Sequence, residues 1–362
     1  MLTIKSQEKR EEVTTPVSSR LGVVTLEPTP ELSVGIPARP VEVEYALYGD
    51  LNLPVTVVLG GISASCQVMK SGQDNAHSRA TYTQGWWQPL VGPGKAVDCT
   101  RTCVLSFNYV AQHRVKTSVS EVRELSLTPA DQAKLLNVLL KTLKLNGRIT
   151  FVGSSYGGMV GLSFAELYPE AIKQLICISA SDRSTHTARA IRAIQKGIFE
   201  LADLPEQKHQ ALSLARQLAI LFYRTDDVFD AQFIDPLLEL PQGKVVGYEQ
   251  TVYSYLAHQG QKFANSNTIE TYAALLDSID THAVNASKIE CDCSFIAVPS
   301  DRLVSYESMR KLAHKVNGQS QFYRLESIYG HDAFLKEFQK LTELLKKILG
   351  EYDEPATSYA SC

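Results

Sequence analysis

Ile149-Thr150-Phe151-Val152-Gly153-Ser154-Ser155-Tyr156-Gly157-Gly158 is a β-branched apolar run broken by a glycine-flanked serine, and it leads into the helix-like stretch Met159 to Leu167. That pattern predicts a strand, a sharp turn and a helix. The Gly-x-Ser-x-Gly spacing suits a turn that holds Ser155 in a strained, exposed position, with the flanking glycines letting strand and helix approach without Cβ clashes. Ser155 is therefore the candidate nucleophile of a covalent mechanism.

Two further strand ends carry the groups such a serine needs. Cys293-Ser294-Phe295-Ile296-Ala297-Val298-Pro299 reads as a buried strand, and Asp301 follows at its C-terminal end, where loops of an α/β sheet carry reactive groups. Gln321-Phe322-Tyr323-Arg324-Leu325 alternates as another strand, and His331 follows it, before a helix beginning near Ala333. Asp301 is the candidate acid and His331 the candidate base. Serine, aspartate and histidine in that chain order is the α/β-hydrolase order, distinct from the orders in chymotrypsin-like and subtilisin-like enzymes. Taken singly, Ser155 can be an ordinary turn serine, and Asp301 and His331 helix caps. Asp277, Asp280 and Asp332 are rival acids, and His258 and His282 rival bases. They lie in helical stretches or directly beside His331, so they fit the strand-end rule less well.

The rest of the chain supplies a frame for these three. Strands are predicted at Val41 to Tyr48, Val55 to Gly60, Cys103 to Tyr109, Ile149 to Val152 and Leu175 to Ser179. Thr128-Pro129-Ala130-Asp131 starts a helix, with Thr128 as N-cap and Leu136, Leu139, Leu140 and Leu143 at helical spacing. Strands alternating with helices imply a mostly parallel sheet covered on both faces. From Asp182 to about Ile289 the strand signal gives way to helical patterns at Thr187 to Leu201, Glu206 to Tyr223, Tyr248 to Phe263 and Ile269 to Ser278. The expected organisation is an irregular arm over 1–38, a core over 39–182, an inserted helical cap over 183–290 and the remainder of the core over 291–362. The cap can also be read as a helical domain with no part in the site.

Composition bounds the function. The 362 residues carry 36 Lys and Arg against 39 Asp and Glu, a formal charge of −3, so there is no basic field for nucleic acid and no polybasic membrane patch. No apolar run approaches the ~20 residues that span a bilayer, and the polar start of the chain lacks an apolar signal core, so a cytoplasmic protein is expected. Seven scattered cysteines do not form a disulfide framework and read as reduced thiols. Cys291-Asp292-Cys293 lacks a second ligand cluster, so no metal is expected there.

Within the cap, Arg216 interrupts the largely apolar stretch Ala211 to Ala219. A guanidinium can grip a carboxylate through two N–H groups, and Asp332 could hold an ammonium group. Together they would read an amino acid's zwitterion and leave its side chain to reach Ser155. The same two residues can equally form structural ion pairs, and from their positions alone both readings stand.

At this level of detail the sequence resembles the homoserine O-acetyltransferase family of α/β-hydrolase-fold acyltransferases, which includes succinyl-transferring relatives. The resemblance spans roughly Tyr45 to Leu345. It rests on Gly85-Trp86-Trp87, on Val91-Gly92-Pro93-Gly94-Lys95-Ala96-Val97-Asp98, and on Gly153 to Met159. In the cap it rests on Leu212 with Ala215-Arg216, Tyr223-Arg224, Tyr255-Leu256-Ala257-His258-Gln259-Gly260 and Ser278-Ile279-Asp280, and near the C-terminus on Gly330-His331-Asp332-Ala333-Phe334-Leu335. It implies an α/β-hydrolase fold with an inserted cap, usually a homodimer through cap helices. The implied reaction is a two-step transfer in which Ser155 takes an acyl group from acyl-CoA and L-homoserine removes it, giving an O-acylhomoserine for methionine synthesis. By motif, Asp301 orients His331, and Arg216 and Asp332 contact the amino acid. Backbone N–H groups of Ile62 and Tyr156 are the expected oxyanion donors. No permanently bound cofactor is implied, only acyl-CoA as co-substrate. Acetyl-transferring members usually carry a His-Ala-Leu-Thr-Gly type loop where this chain has Gly60 to Ala64, and Arg114 or Lys116 could meet a succinyl carboxylate or be exposed loop charges. The acyl group, the choice between homoserine and serine, and the alternative of an esterase thus stay open.

Overall fold

A computed structural model describes residues 18–27, 32, 40–70, 85–116, 122–233 and 251–350, with backbone alone at 112–116 and 122–125. Its centre is an eight-stranded sheet. The strands are β1 (Ser19–Leu26), β2 (Val41–Tyr48), β3 (Val55–Leu59), β4 (Cys103–Phe107), β7 (Ile149–Ser154), β8 (Ile172–Ile178), β9 (Asp292–Ala297) and β10 (Ser320–Arg324), while β5 (Gln112–Lys116) and β6 (Val122–Ser126) form a separate hairpin. The order across the sheet is β1-β2-β4-β3-β7-β8-β9-β10. β1, β2 and β4 pair antiparallel, and the register from β4 through β10 is parallel.

Strand periodicity builds the two layers around the sheet. Successive side chains point to opposite faces, so Val57, Phe151, Leu175 and Phe295 join one buried cluster while their neighbours Val58, Val152, Ile176 and Ile296 join the other. The first face is covered by α1 (Pro129–Thr142), α2 (Tyr156–Leu167) and α8 (Tyr306–Ala313). The second is covered by α9 (Phe338–Gly350) and by the loop that contains Trp87, Leu90 and Val97. Strands buried on both sides call for largely apolar runs, and β3, β4 and the Leu175–Ile178 part of β8 supply them. α1 starts as its sequence requires: Thr128 and Asp131 close a reciprocal capping box, with Pro129 in the first turn.

Between β8 and β9 the chain leaves the sheet and builds α3 (His186–Glu200), α4 (Pro205–Tyr223), α5 (Asp226–Gln232), α6 (Val252–Ala264) and α7 (Ile269–Thr281). Phe199, Leu212, Ala215, Phe263, Tyr272 and Leu276 give these helices a small core of their own. The segment returns beside its departure point, because Val284 N donates to Asp182 O at 3.0 Å.

Three expectations are corrected. Ser19–Leu26 is not irregular: it forms the edge strand β1, whose alternation is masked because only Leu26 is fully buried and Gly22 lies over the Tyr45 ring. Arg114 and Lys116 stand not on a loop but on strand β5, which pairs antiparallel with β6, and their side chains lie outside the described set. His331 does not precede a helix starting near Ala333. It sits inside a 3₁₀ turn, Gly330–Leu335, and α9 begins at Phe338. The apolar Ala333-Phe334-Leu335 mimics a helix start but is anchored instead by Trp87 Nε1, which donates to Phe334 O at 2.8 Å.

The packing of β7 against α2 carries the site, and Phe151 is its fully buried centre, with its ring 6.2 Å from that of Phe164. Phe151→Ala should destabilise the fold by about 3–5 kcal/mol. A urea denaturation curve checks this, and a loss under 1 kcal/mol would contradict the assigned packing.

Candidate active site

Ser155 occupies the junction of β7 and α2 at φ 53°, ψ −119°, a left-handed conformation that a side chain rarely adopts. The neighbouring backbone enforces it. A Cβ on Gly153 would lie 2.4 Å from Gly157 O, and one on Gly157 would lie 2.3 Å from Leu59 O, so only glycine fits at either position. Ser155 N donates to Ile178 O at 2.9 Å and Gly157 N to Gly60 O at 2.9 Å, which tie the turn to strand β8 and to the end of β3.

The serine hydroxyl meets His331. Ser155 Oγ lies 2.7 Å from His331 Nε2, and His331 Nδ1 lies 2.7 Å from Asp301 Oδ2. Asp301 is fixed in turn by its other oxygen, Oδ1, which accepts from Leu303 N and Val304 N at 2.9 Å each. His331 and Asp301 are both buried. Burial favours the neutral imidazole, but the Asp301 charge and hydrogen bond, with a smaller contribution from the Asp332 charge, outweigh it and hold the pKa of His331 above the ordinary histidine value.

The rival residues are engaged elsewhere. Asp280 pairs with Arg192 at 2.7 Å and Asp277 with Lys196 at 2.7 Å. His282 Nε2 lies 3.0 Å from Ser181 O, and burial pushes its pKa down to about 4. His258 is exposed on α6.

Above Ser155 lies a cavity of about 190 Å³, bounded by the sheet edge below and by the helices between β8 and β9 above. On one side Gly61 to Ala64, Trp86 and Phe334 form its wall. A Cβ on Gly61 would stand 3.8 Å from Ser155 Cβ, so this loop brings the Ile62 backbone beside the nucleophile. Tyr156 contributes the first amide of α2, which has no acceptor within the helix. Its ring is locked by a 2.7 Å hydrogen bond between Tyr156 Oη and Ser278 Oγ.

Arg216 and Asp332 line the same cavity as Ser155 and His331. The Arg216 guanidinium lies over the rings of Phe263 (4.8 Å) and Tyr223 (5.2 Å), and Nη1 reaches Ser63 Oγ at 3.4 Å. Asp332 Oδ2 accepts from Arg224 Nε at 3.1 Å, and Arg224 stacks on Tyr255 at 5.2 Å. Asp332 is thus both a structural partner and a cavity group, so the two readings of it are compatible. Residues the sequence reading gave no role include Tyr223, whose ring sits 5.8 Å from that of His331, and Met159, Arg192 and Gln195 in the cavity wall. Tyr223-Arg224 stood out as a motif, but nothing local says which cavity a cap residue faces.

Comparison with known proteins fits this geometry. Residues 103–338 match the family model described as alpha/beta hydrolase fold. A homoserine O-succinyltransferase of Xanthomonas campestris pv. campestris is 31% identical, covering 90% of this chain and 85% of that protein. A homoserine O-acetyltransferase of Moorella thermoacetica is 26% identical, covering 85% of this chain and 90% of that protein. The solved structure of the Staphylococcus aureus homoserine O-acetyltransferase superposes with a TM-score of 0.75 at 20% identity, covering 94% of this chain and 98% of that chain.

A base accepts a proton only when neutral, so raising the pKa of His331 moves the acid limb of Ser155 reactivity upward. Capture of Ser155 by a fluorophosphonate should rise with pH through a limb above about 6.5. In Asp301→Asn the burial effect is left opposed only by Asp332, so the limb should move down and the plateau rate fall by about 10³–10⁴-fold. An unshifted limb would show that Asp301 does not control the imidazole.

Proposed function

We propose a reaction from one premise: the chain belongs to the α/β-hydrolase fold family and, within it, to the homoserine O-acyltransferases. The enzyme transfers an acetyl or succinyl group from acyl-CoA to the hydroxyl of L-homoserine, a step of methionine biosynthesis. The observation that carries this reading is the coincidence, in one cavity, of the Ser155–His331–Asp301 hydrogen-bond chain with a cation at Arg216 and an anion at Asp332. A plain esterase needs the first; recognition of an amino acid's zwitterion also needs the second.

Ser155 Oγ attacks the thioester carbonyl while its proton passes to His331 Nε2. Negative charge develops on the carbonyl oxygen, where the N–H groups of Tyr156 and Ile62 act as donors. When the C–S bond breaks, His331 returns the proton to the departing thiolate, leaving an acyl ester on Ser155. Homoserine then binds with its carboxylate at Arg216 and its ammonium at Asp332, which Arg224 keeps in place. His331 deprotonates the homoserine hydroxyl as its oxygen attacks the acyl carbonyl, and the second tetrahedral intermediate collapses by breaking the bond to Ser155 Oγ, which takes the proton back from His331 as O-acylhomoserine leaves. Asp301 holds the imidazole in the tautomer that presents Nε2 as acceptor and stabilises the imidazolium in both halves.

Water competes with homoserine for the acyl ester. The helices between β8 and β9 roof the cavity and restrict it, favouring transfer over hydrolysis. No resident cofactor enters this scheme; acyl-CoA is consumed as co-substrate. Apolar side chains exposed on the cap, Leu214 and Leu221 on α4 and Tyr253 on α6, favour pairing of two copies through these helices. The six described cysteines are buried and unpaired, in keeping with a reducing, cytoplasmic setting.

Thiol release from acetyl-CoA and succinyl-CoA, each with L-homoserine, L-serine or no acceptor, tests the proposal. Release should depend on homoserine and should fall about 10⁴-fold or more in Ser155→Ala. Release at the same rate without any acceptor would make the protein a hydrolase, and preference for serine would reassign the acceptor.

A further inference from the structure

The stretch from Gly60 to Cys66 belongs to no strand or helix, yet it carries Ile62 beside the nucleophile, and three side chains from outside fasten it. Tyr109 Oη donates to Gly60 O at 2.6 Å, Trp86 Nε1 donates to Ser65 O at 3.0 Å, and Asn108 Oδ1 accepts from Cys66 N at 2.6 Å. The loop is also closed from within. Ala64 N donates to Gly61 O at 2.9 Å, and a Cβ on Gly60 would lie 2.6 Å from Ala64 Cβ and 2.8 Å from the Trp86 ring. Among the described residues Ile62 N meets no acceptor, so the turn leaves this amide unused.

Asn108 and Tyr109 follow β4 directly, and their own support reaches into the core. Asn108 Nδ2 donates to Glu44 Oε2 at 2.7 Å and Asn108 N to Glu44 O at 2.8 Å. The next residue, Val110, is gripped by the fully buried Gln132 of α1, whose Nε2 donates to Val110 O at 2.7 Å and whose Oε1 accepts from Val110 N at 3.3 Å. The Tyr109 ring stands edge-on to that of Tyr156, 4.7 Å away. Tyr109 thus touches both sides of the expected oxyanion site, Gly60 through its hydroxyl and Tyr156 through its ring. Phenylalanine would serve the ring contact equally well, so only the bond to Gly60 calls for a phenol. Burial raises the pKa of that phenol well above its ordinary value, so it remains a donor. A carbonyl oxygen has two lone pairs, and Gly60 O fills both, with Tyr109 Oη and with Gly157 N at 2.9 Å. The peptide group is planar, so fixing this oxygen fixes the plane between Gly60 and Gly61 and the direction in which the loop leaves β3.

We infer that Tyr109, with Asn108 and Trp86 beside it, is a positioning residue that holds the Gly60–Cys66 loop where Ile62 N meets the oxyanion formed on attack by Ser155. The assignment rests on Ser155 as nucleophile and Ile62 N as donor, as proposed above, and holds whether the acyl group ends on homoserine or on water. Tyr109 touches no reacting atom. Its hydroxyl bonds to Gly60 and its ring packs on Phe107 and Tyr156 rather than on His331 or Asp301, so it acts on the tetrahedral state and leaves the titration of His331 alone.

The test compares full-length Tyr109→Phe and Trp86→Phe with the wild type. Ser155 Oγ adds to the carbonyl carbon of a trifluoromethyl ketone, its proton passes to His331, and the ketone oxygen takes the π electrons as an anion in the donor site. The inhibition constant of the ketone therefore reads that site, and it is a property of the folded fraction, so partial unfolding does not mimic a loss. The acid limb of fluorophosphonate capture reads His331, and thermal melting follows the fold. Gly60 O keeps its bond from Gly157 N in Tyr109→Phe, so the carbonyl is not orphaned and the fold is retained. This variant should bind the ketone about tenfold more weakly and lose a similar factor in plateau capture rate, with the acid limb unmoved. Trp86→Phe, which removes the bond to Ser65 O, should weaken ketone binding in the same direction. Unchanged ketone binding in Tyr109→Phe, or a loss accompanied by a displaced acid limb, overturns the assignment while leaving the Ser155 chemistry intact. Failure of the wild type to take up the fluorophosphonate at Ser155 overturns the nucleophile itself, and this assignment with it.

Discussion

Everything reactive in this protein hangs on the backbone conformation of Ser155, held at φ 53° and ψ −119°. Such a conformation is unfavourable by about 1–3 kcal/mol and persists only where the surroundings over-determine it. Here they do so through contact rather than through side chains. The carbonyls of Leu59 and Gly157 occupy the space that Cβ atoms at 157 and 153 would need, and hydrogen bonds to Ile178 O and Gly60 O clamp the turn from two strands. The same clamp draws the end of β3 toward the nucleophile, so the loop with Ile62 and the first amide of α2 arrive together. One local strain thus sets the serine, its helix and the proposed oxyanion donors in a fixed relation.

The second level of organisation is electrostatic. Taking His331 out of water disfavours its charged form, yet two carboxylates near it reverse the balance. Asp301 dominates because it is hydrogen-bonded and itself held by two backbone amides. Asp332, adjacent in sequence, contributes less because its charge is shared with Arg224. This division lets one carboxylate serve the imidazole and leaves the other able to face a ligand. Arg216, lying over two aromatic faces, adds a cation to the cavity that, among the described residues, no carboxylate pairs with at short range, which is the arrangement an incoming carboxylate needs.

Legibility in the sequence followed the length scale of the physics. The strand, the glycine-flanked serine and the helix are local, and the sheet strands from β2 to β9 announce themselves by apolar runs or alternation. Asp301 and His331 could be chosen because strand ends are where such groups must stand. β1 was unreadable because an edge strand buries little and its only fully buried side chain is Leu26, and β5 and β6 because they pair with each other rather than with the main sheet. The 3₁₀ turn around His331 depends on Trp87, a residue far away in the chain. Tyr272 and Gln195 gave no signal, since a tyrosine at helical spacing reads as core until its hydroxyl is seen accepting from a glutamine on another helix.

A division of labour follows from where each group is anchored. The hydrogen-bond chain from Ser155 to Asp301 is built wholly on the sheet, a scaffold on which many unrelated reactions are possible. The groups that would read the acceptor lie on α4 or, like Asp332, are steadied by an arginine at the end of α4. Their positions rest on the small core around Phe263 and Tyr272 and on a few buried polar bonds. Such a core is easier to rearrange than the sheet, because fewer buried contacts resist a helix shift of an ångström or less. Substrate choice is therefore the property most exposed to change in the cap, and the chemistry of acylation the least, which explains how a chain can keep the same hydrolytic machinery and still direct its acyl group to an amino acid instead of water.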